Sequence, residues 1–254
     1  MSSPTFMSAI VFACVLSGAF LGVFLRNSLP KHHLSGATKD VVKLGTGLIG
    51  TIAALVLGLL IASANSTFQT QGAQVQQLTA NIVFLDQTLA QYGPEAASAR
   101  NLMRRVVVTM ADRIWRENSS PSGLGAPFEA SADAITLYDE ILKLVPQNET
   151  QRSLQARAIG TLQELGKTRL LLFAEAGSAI PMPFLVVLIF WLAIIFASFS
   201  LFADNNATTV VALGIFALSA SAAIFLILEL GQPFTGLMRI SSEPLRNALA
   251  PLSP

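Results

Sequence analysis

Few residues in this sequence could do chemistry. His32 and His33 are its only histidines. In a helix adjacent side chains point about 100° apart, and no carboxylate cluster sits nearby. The pair reads as part of a polar loop, and no metal site is expected. Cys14 is the only cysteine, which excludes an intrachain disulfide and a CxxC motif. The "VFA" before it makes a poor lipoprotein box, and no basic residue precedes it. There is no glycine-rich phosphate loop, no HExxH and no GxSxG. No cofactor and no enzymatic activity is expected.

Two residue sets remain. Gly47, Thr51, Ala54, Gly58, Ala62 and Asn65 recur by three and four, while Leu55, Leu59 and Leu60 occupy other faces. Such a stripe either lets membrane helices pack closely or faces a pore, where small side chains leave room and Thr51 and Asn65 offer polar contacts. Gly214, Ala217 and Ser221 repeat the theme. The second set is a basic row, Arg100, Arg104 and Arg105, followed by Arg113 and Arg116. It is either a solvated face paired with carboxylates such as Asp112 and Glu117, or an attractor of anions toward a pore. Arg169 holds a seam-like position and has Asp86, Glu164 and Glu175 as possible partners. Glu229 reads as a snorkelling acid at the membrane interface.

The elements that position these residues are helices, most of them greasy. The chain has 254 residues, 52% hydrophobic and 12% charged, with a mean hydropathy of +0.59. That composition points to a membrane protein. A net charge of +1 suggests no nucleic acid partner. Four stretches are long and apolar enough to span a bilayer: residues 7–25, 44–64, 182–203 and 207–230. The first lacks the basic flank and cleavage site of a signal peptide. Arg26, Lys31, Lys39 and Lys43 lie between spans one and two, while residues 204–206 have no basic residue. The charge rule for short loops therefore puts the Lys-rich loop in the cytoplasm. Both termini and the region between spans two and three then lie outside. That region holds ten Lys and Arg, but long loops translocate largely regardless of charge.

Beyond span two the hydrophobic residues keep helical time. Phe68, Val75, Leu78, Ile82, Leu85, Leu89 and Tyr92 form a heptad seam. No proline interrupts the run, so one helix over residues 42–92 would reach about 75 Å. Gly93-Pro94 ends it and starts the next, over residues 95–117. That helix is expected to bury Met103, Val106, Met110 and Ile114. Residues 118–127 are a loop by composition. A short helix should turn Ile135, Tyr138, Ile141 and Leu142 to one side before Pro146. The last soluble helix, residues 149–176, should bury Leu154, Ala158, Leu162, Leu165 and Leu172. Gly177 and Pro181 mark a stop before span three. Amphipathic helices with short links argue for an antiparallel bundle.

The stretch "LPKHHLSGATKDVVKLGTGLIGTIAALVLGLLIASA", residues 29–64, resembles a bestrophin-like membrane family of bacteria. So does "GQPFTGLMRISSEPLRNAL", residues 231–249, and the four-span layout extends the match over nearly the whole chain. The more distant resemblance is to bestrophins proper, which are pentameric anion channels. They carry aromatic and arginine residues where this chain has Asn65, Ser66, Thr67 and Gln69, and they place the helical domain in the cytosol. The fold expected is all-α, with a first hairpin (1–64), a four-helix soluble bundle (65–178), a second hairpin (179–230) and an amphipathic tail (231–254). The resemblance implies an oligomer, a pentamer, with the lipid bilayer, itself and small ions as partners, in the bacterial inner membrane. The function expected is an ion pathway lined by span two. The alternative is a non-conducting sensor or scaffold whose bundle binds a ligand or protein.

Overall fold

The computed structural model describes residues 3–30, 36–117, 132–176, 182–203 and 206–249. His32, His33, the 118–127 loop and the 177–181 stop lie outside them. The described residues contain no strand. Eight α-helices are described: α1 (Pro4–Ser28), α2 (Gly36–Tyr92), α3 (Ala97–Glu117), α4 (Ala132–Leu142), α5 (Glu149–Ala176), α6 (Met182–Phe202), α7 (Ala207–Leu230) and α8 (Glu243–Leu249). Four of them, α1, α2, α6 and α7, are long and apolar enough to cross a membrane. The chain divides into two compact units, Met1–Thr67 with Ala179–Gly231, and Phe68–Ser178 with Gln232–Pro254.

In the first unit α1 begins cleanly. The Ser3 hydroxyl accepts from the Phe6 N–H at 3.3 Å, and Pro4 occupies a position whose N–H would be orphaned anyway. The helix packs on α6 and α7. Its closest approach is through Gly18 and Gly22, both buried. A Cβ on Gly18 would collide with the Ala193 carbonyl oxygen and lie 2.9 Å from the Ala193 Cα. One on Gly22 would collide with the Ala197 carbonyl oxygen and lie 2.8 Å from the Ser200 Cβ. Glycines four apart on α1 thus meet alanines four apart on α6, the small-residue geometry that brings membrane helices into backbone contact. The Ser221 hydroxyl donates to the Ser8 carbonyl at 2.7 Å, a polar tie between α7 and α1. The Arg26 guanidinium donates to the Ala203 carbonyl, which lies just past α6 among the groups a helix end leaves unpaired. Glu229 was expected to snorkel, but the fold leaves it only 3% exposed.

In the second unit the seam of α2 is the spine. Val75, Leu78, Ile82, Leu85, Leu89 and Tyr92 are all buried, and Phe68 is half-buried. Gly93 turns the chain at φ +125°, a region side chains disfavour, and Pro94–Ala96 forms a 3₁₀ turn into α3. Two glutamines of α5 satisfy the carbonyls that end other helices. The Gln151 amide donates to Tyr92 at 3.0 Å. The Gln155 amide donates to Ile141 at 2.8 Å and to Leu144 at 2.9 Å.

Two helix faces differ from those expected. In α3, Met103 and Ile114 are buried, but Val106 and Met110 are only half-buried, and Leu102, Val107 and Ala111 are buried beside them. The reason is a second covering element, the C-terminal segment. Trp115 donates from its indole to the Ile240 carbonyl at 2.9 Å and meets Phe234 edge-to-face at 5.7 Å. Phe234 and Leu245 are buried in the same core. In α4 the buried residues are Leu137 and Ile141, while Ile135 and Leu142 are exposed. On α5, Ala158, Leu165 and Leu172 are buried, with Leu154 and Leu162 half-buried.

Candidate functional site

The membrane-spanning half of α2 is the least covered of the four apolar helices. The residues it turns inward within its own unit are Thr46, Ala53, Leu60 and Ala64. The expected stripe lies elsewhere on the helix. Gly47, Thr51, Ala54, Gly58, Ala62 and Asn65 are all exposed, and a Cβ on Gly47 or Gly58 would meet nothing within 4 Å. Among the described residues no other helix covers Thr51, Ala54, Gly58, Ala62 or Asn65, while Gly47 also borders a groove lined by residues of α6 and α7. Leu48, Leu55 and Leu59 are also exposed, on neighbouring faces. Thr51 returns its hydroxyl proton to the Gly47 carbonyl at 3.0 Å. That bond satisfies the donor in an apolar setting and leaves the oxygen lone pairs facing out. Asn65 stands near the end of the apolar run, with Ser66 exposed beside it.

Arg100, Arg104 and Arg105 stand in different surroundings. Arg100 is locked to Asp86, with Nε on Oδ1 at 2.8 Å and Nη2 on Oδ2 at 2.9 Å. The Asp86 hydrogen bond holds the guanidinium above its ordinary pKa against the opposing pull of burial. Arg105 is exposed, and Arg104 is half-buried with its Nε lacking a hydrogen-bond partner. Asp86 had been one of three acids open to Arg169. Arg169 lies 5.7 Å from the centre of the Phe173 ring, and Glu175 accepts from the Gln74 amide at 2.8 Å. Nothing in the sequence pattern singled out the Asp86–Arg100 pair. Its one signal is position, an acid before a tight turn and a base after it.

That pair carries a stability prediction. Arg100→Ala would leave the Asp86 carboxylate buried without its partner. Removing one member of a buried pair costs about 3–5 kcal/mol. The Arg100 side chain keeps 29% of its surface in water, so about 2–3 kcal/mol is expected. Changing both residues, Arg100→Met with Asp86→Leu, should recover most of it. Thermal melting in detergent reads both. An unchanged melting point for Arg100→Ala would mean that the pair contributes nothing.

The second unit also holds a cavity of about 320 Å³. Met103, Val106, Met110, Tyr138, Leu162 and Phe173 supply much of its wall, with Arg113 and Arg169 among its polar groups. Among the described residues, no three His, Cys, Asp or Glu side chains gather as a metal site would require.

Comparison with known proteins places this geometry. Residues 13–245 match the model of the Bestrophin-like domain. No curated protein sequence matches the chain. Among solved structures, a crystal structure of a bacterial Bestrophin homolog from Klebsiella pneumoniae aligns with a TM-score of 0.70 at 14% identity, covering 99% of each chain. A second variant of that homolog aligns with a TM-score of 0.64 at 15% identity, covering 96% of this chain and 98% of that one. At these identities the likeness is one of fold, and it extends over nearly the full length of both chains.

Proposed function

Because the chain belongs to the Bestrophin-like family, we propose that this membrane protein assembles with copies of itself into an ion-conducting pathway lined by α2. The observation that carries the reading is the bare stripe from Gly47 to Asn65. Three other apolar helices of the chain could have buried it, yet the buried residues of this half of α2 are Thr46, Ala53, Leu60 and Ala64. A face of glycine, alanine, threonine and asparagine gains little from lipid. It suits close helix contact around an axis, or water and ions along one. The resemblance to bestrophins favours five copies and anions. With Arg100 committed to Asp86, attraction of anions falls to Arg104 and Arg105.

Purified oligomer in planar bilayers tests this directly. A current under a chloride gradient is expected. Its absence from a verified oligomer would sink the reading and leave the sensor or scaffold, for which the cavity in the second unit is the supporting observation.

Orientation is a separate proposal. The basic residues from Arg26 to Lys43, across the junction of α1 and α2, favour a cytoplasmic side for that junction, with the bundle and both termini outside the inner membrane. Ser153 is an exposed residue of α5. A cysteine there, in a Cys14→Ala background, should react with an impermeant maleimide on intact spheroplasts. Labelling only after lysis would reverse the orientation.

A further inference from the structure

The first unit contains a groove of about 780 Å³ between the start of α2 and the α6–α7 hairpin. Its two ends differ in chemistry. At one end are Lys39 and Lys43, with Asn206, Thr208 and Thr209 from the start of α7. At the other are Gly50, Ile195 and Phe216, with Phe199 and Phe202 between. The two lysines are four residues apart, so their side chains share one face of α2. Lys39 is half-buried and Lys43 exposed. Among the described residues neither makes an ion pair; the nearest acid in sequence, Asp40, is turned about 100° from Lys39.

The dimensions match one leaflet. From Lys39 to Gly50 the helix rises about 16 Å at 1.5 Å per residue, against roughly 15 Å for half of a hydrocarbon core. A groove walled by phenylalanines at that depth cannot stay empty without losing packing on one side. Water would find few partners there. Its occupant must present apolar chains to the deep end and negative charge to the mouth.

We propose that this groove holds one anionic phospholipid, its phosphate between Lys39 and Lys43 and its acyl chains against Phe199, Phe202 and Phe216. The hydroxyls of Thr208 and Thr209 and the Asn206 amide give the headgroup further donors. The assignment does not depend on whether the protein conducts.

Native mass spectrometry of the delipidated oligomer tests it, using phosphatidylglycerol and phosphatidylcholine of equal chain length. The wild type should retain phosphatidylglycerol preferentially. Lys39→Gln with Lys43→Gln should bind it about twenty-five-fold more weakly, from about fivefold per lysine, and bind phosphatidylcholine as before. Lys39→Arg with Lys43→Arg should keep the preference, which separates lost charge from lost folding. Glycerol phosphate at the same concentration should not compete, because it lacks the chains. Equal retention of both lipids by the wild type would overturn the proposal, as would an unchanged preference in the glutamine variant. Full competition by glycerol phosphate would reassign the site to a free anion. Retention of neither lipid, as when a neighbouring copy fills the groove, would overturn it too.

Discussion

Gly22→Leu is expected to leave no monodisperse protein in detergent. The contact it breaks is backbone against backbone. A single Cβ at this site already collides with the Ala197 carbonyl oxygen and lies 2.9 Å from the Ala197 carbonyl carbon. Neither atom can move without moving α6, so α1 must separate from it. Separation would also pull the Ser221 hydroxyl from the Ser8 carbonyl and uncover Val11 and Val15, which are buried. A smaller change gives a graded reading. Gly18→Ala adds one carbon against Ala193. Overpacking of this kind costs about 1–3 kcal/mol, or roughly 5 °C of melting temperature for a chain of this size. The sign is the informative part, because alanine is the better helix former by about 1 kcal/mol. At Gly45 a Cβ meets nothing within 4 Å, so Gly45→Ala should hold or raise the melting temperature. If Gly18→Ala and Gly45→Ala behave alike, α1 does not pack on α6 through its glycines.

The parts of this fold that could be read from sequence are those where one periodic pattern runs long enough to have a single solution. The seam from Val75 to Tyr92 spans five turns, and every member of it is buried. The four apolar helices were readable for the same reason. Gly18 and Gly22 carried a signal too, the four-residue spacing of small residues, but only their meeting with Ala193 and Ala197 reveals what it is for. Shorter or remote elements were not readable. An 11-residue helix admits more than one phase, and α4 buries Leu137 and Ile141 where Ile135 and Leu142 fitted the pattern about as well. Helix α8 has seven residues, too few for a period to show. Its Leu245 and the preceding Phe234 join a core whose other members run from Val75 to Leu172, far back in the chain. The Asp86–Arg100 pair needed the Gly93 turn to bring its members together.

At the candidate site, sequence supplied the stripe on α2 but not its partner, since a small face serves helix packing and pore lining equally. The fold adds that, among the described residues, no other helix of the chain covers the stripe beyond Gly47. That makes Gly58 the sharpest test of the proposed pathway. A leucine there points into open space in the single chain. It collides with nothing and gains about 1 kcal/mol of helix propensity. Folding of the chain should therefore be unharmed, and any loss must arise from what lies beyond it. We expect Gly58→Leu either to break the oligomer, seen as a smaller particle in detergent, or to assemble and reduce ion flux in liposomes to background. Leu59 is the control, one residue round the helix and 69% exposed. On that face lipid accepts a shorter side chain, so Leu59→Ala should assemble and conduct much as the wild type does. The reverse pattern, with Leu59→Ala losing assembly or flux and Gly58→Leu keeping both, would turn the stripe toward lipid. Thr51, Ala54, Ala62 and Asn65 would leave the pathway with it, and the leucine face of α2 would become the surface that meets its neighbours.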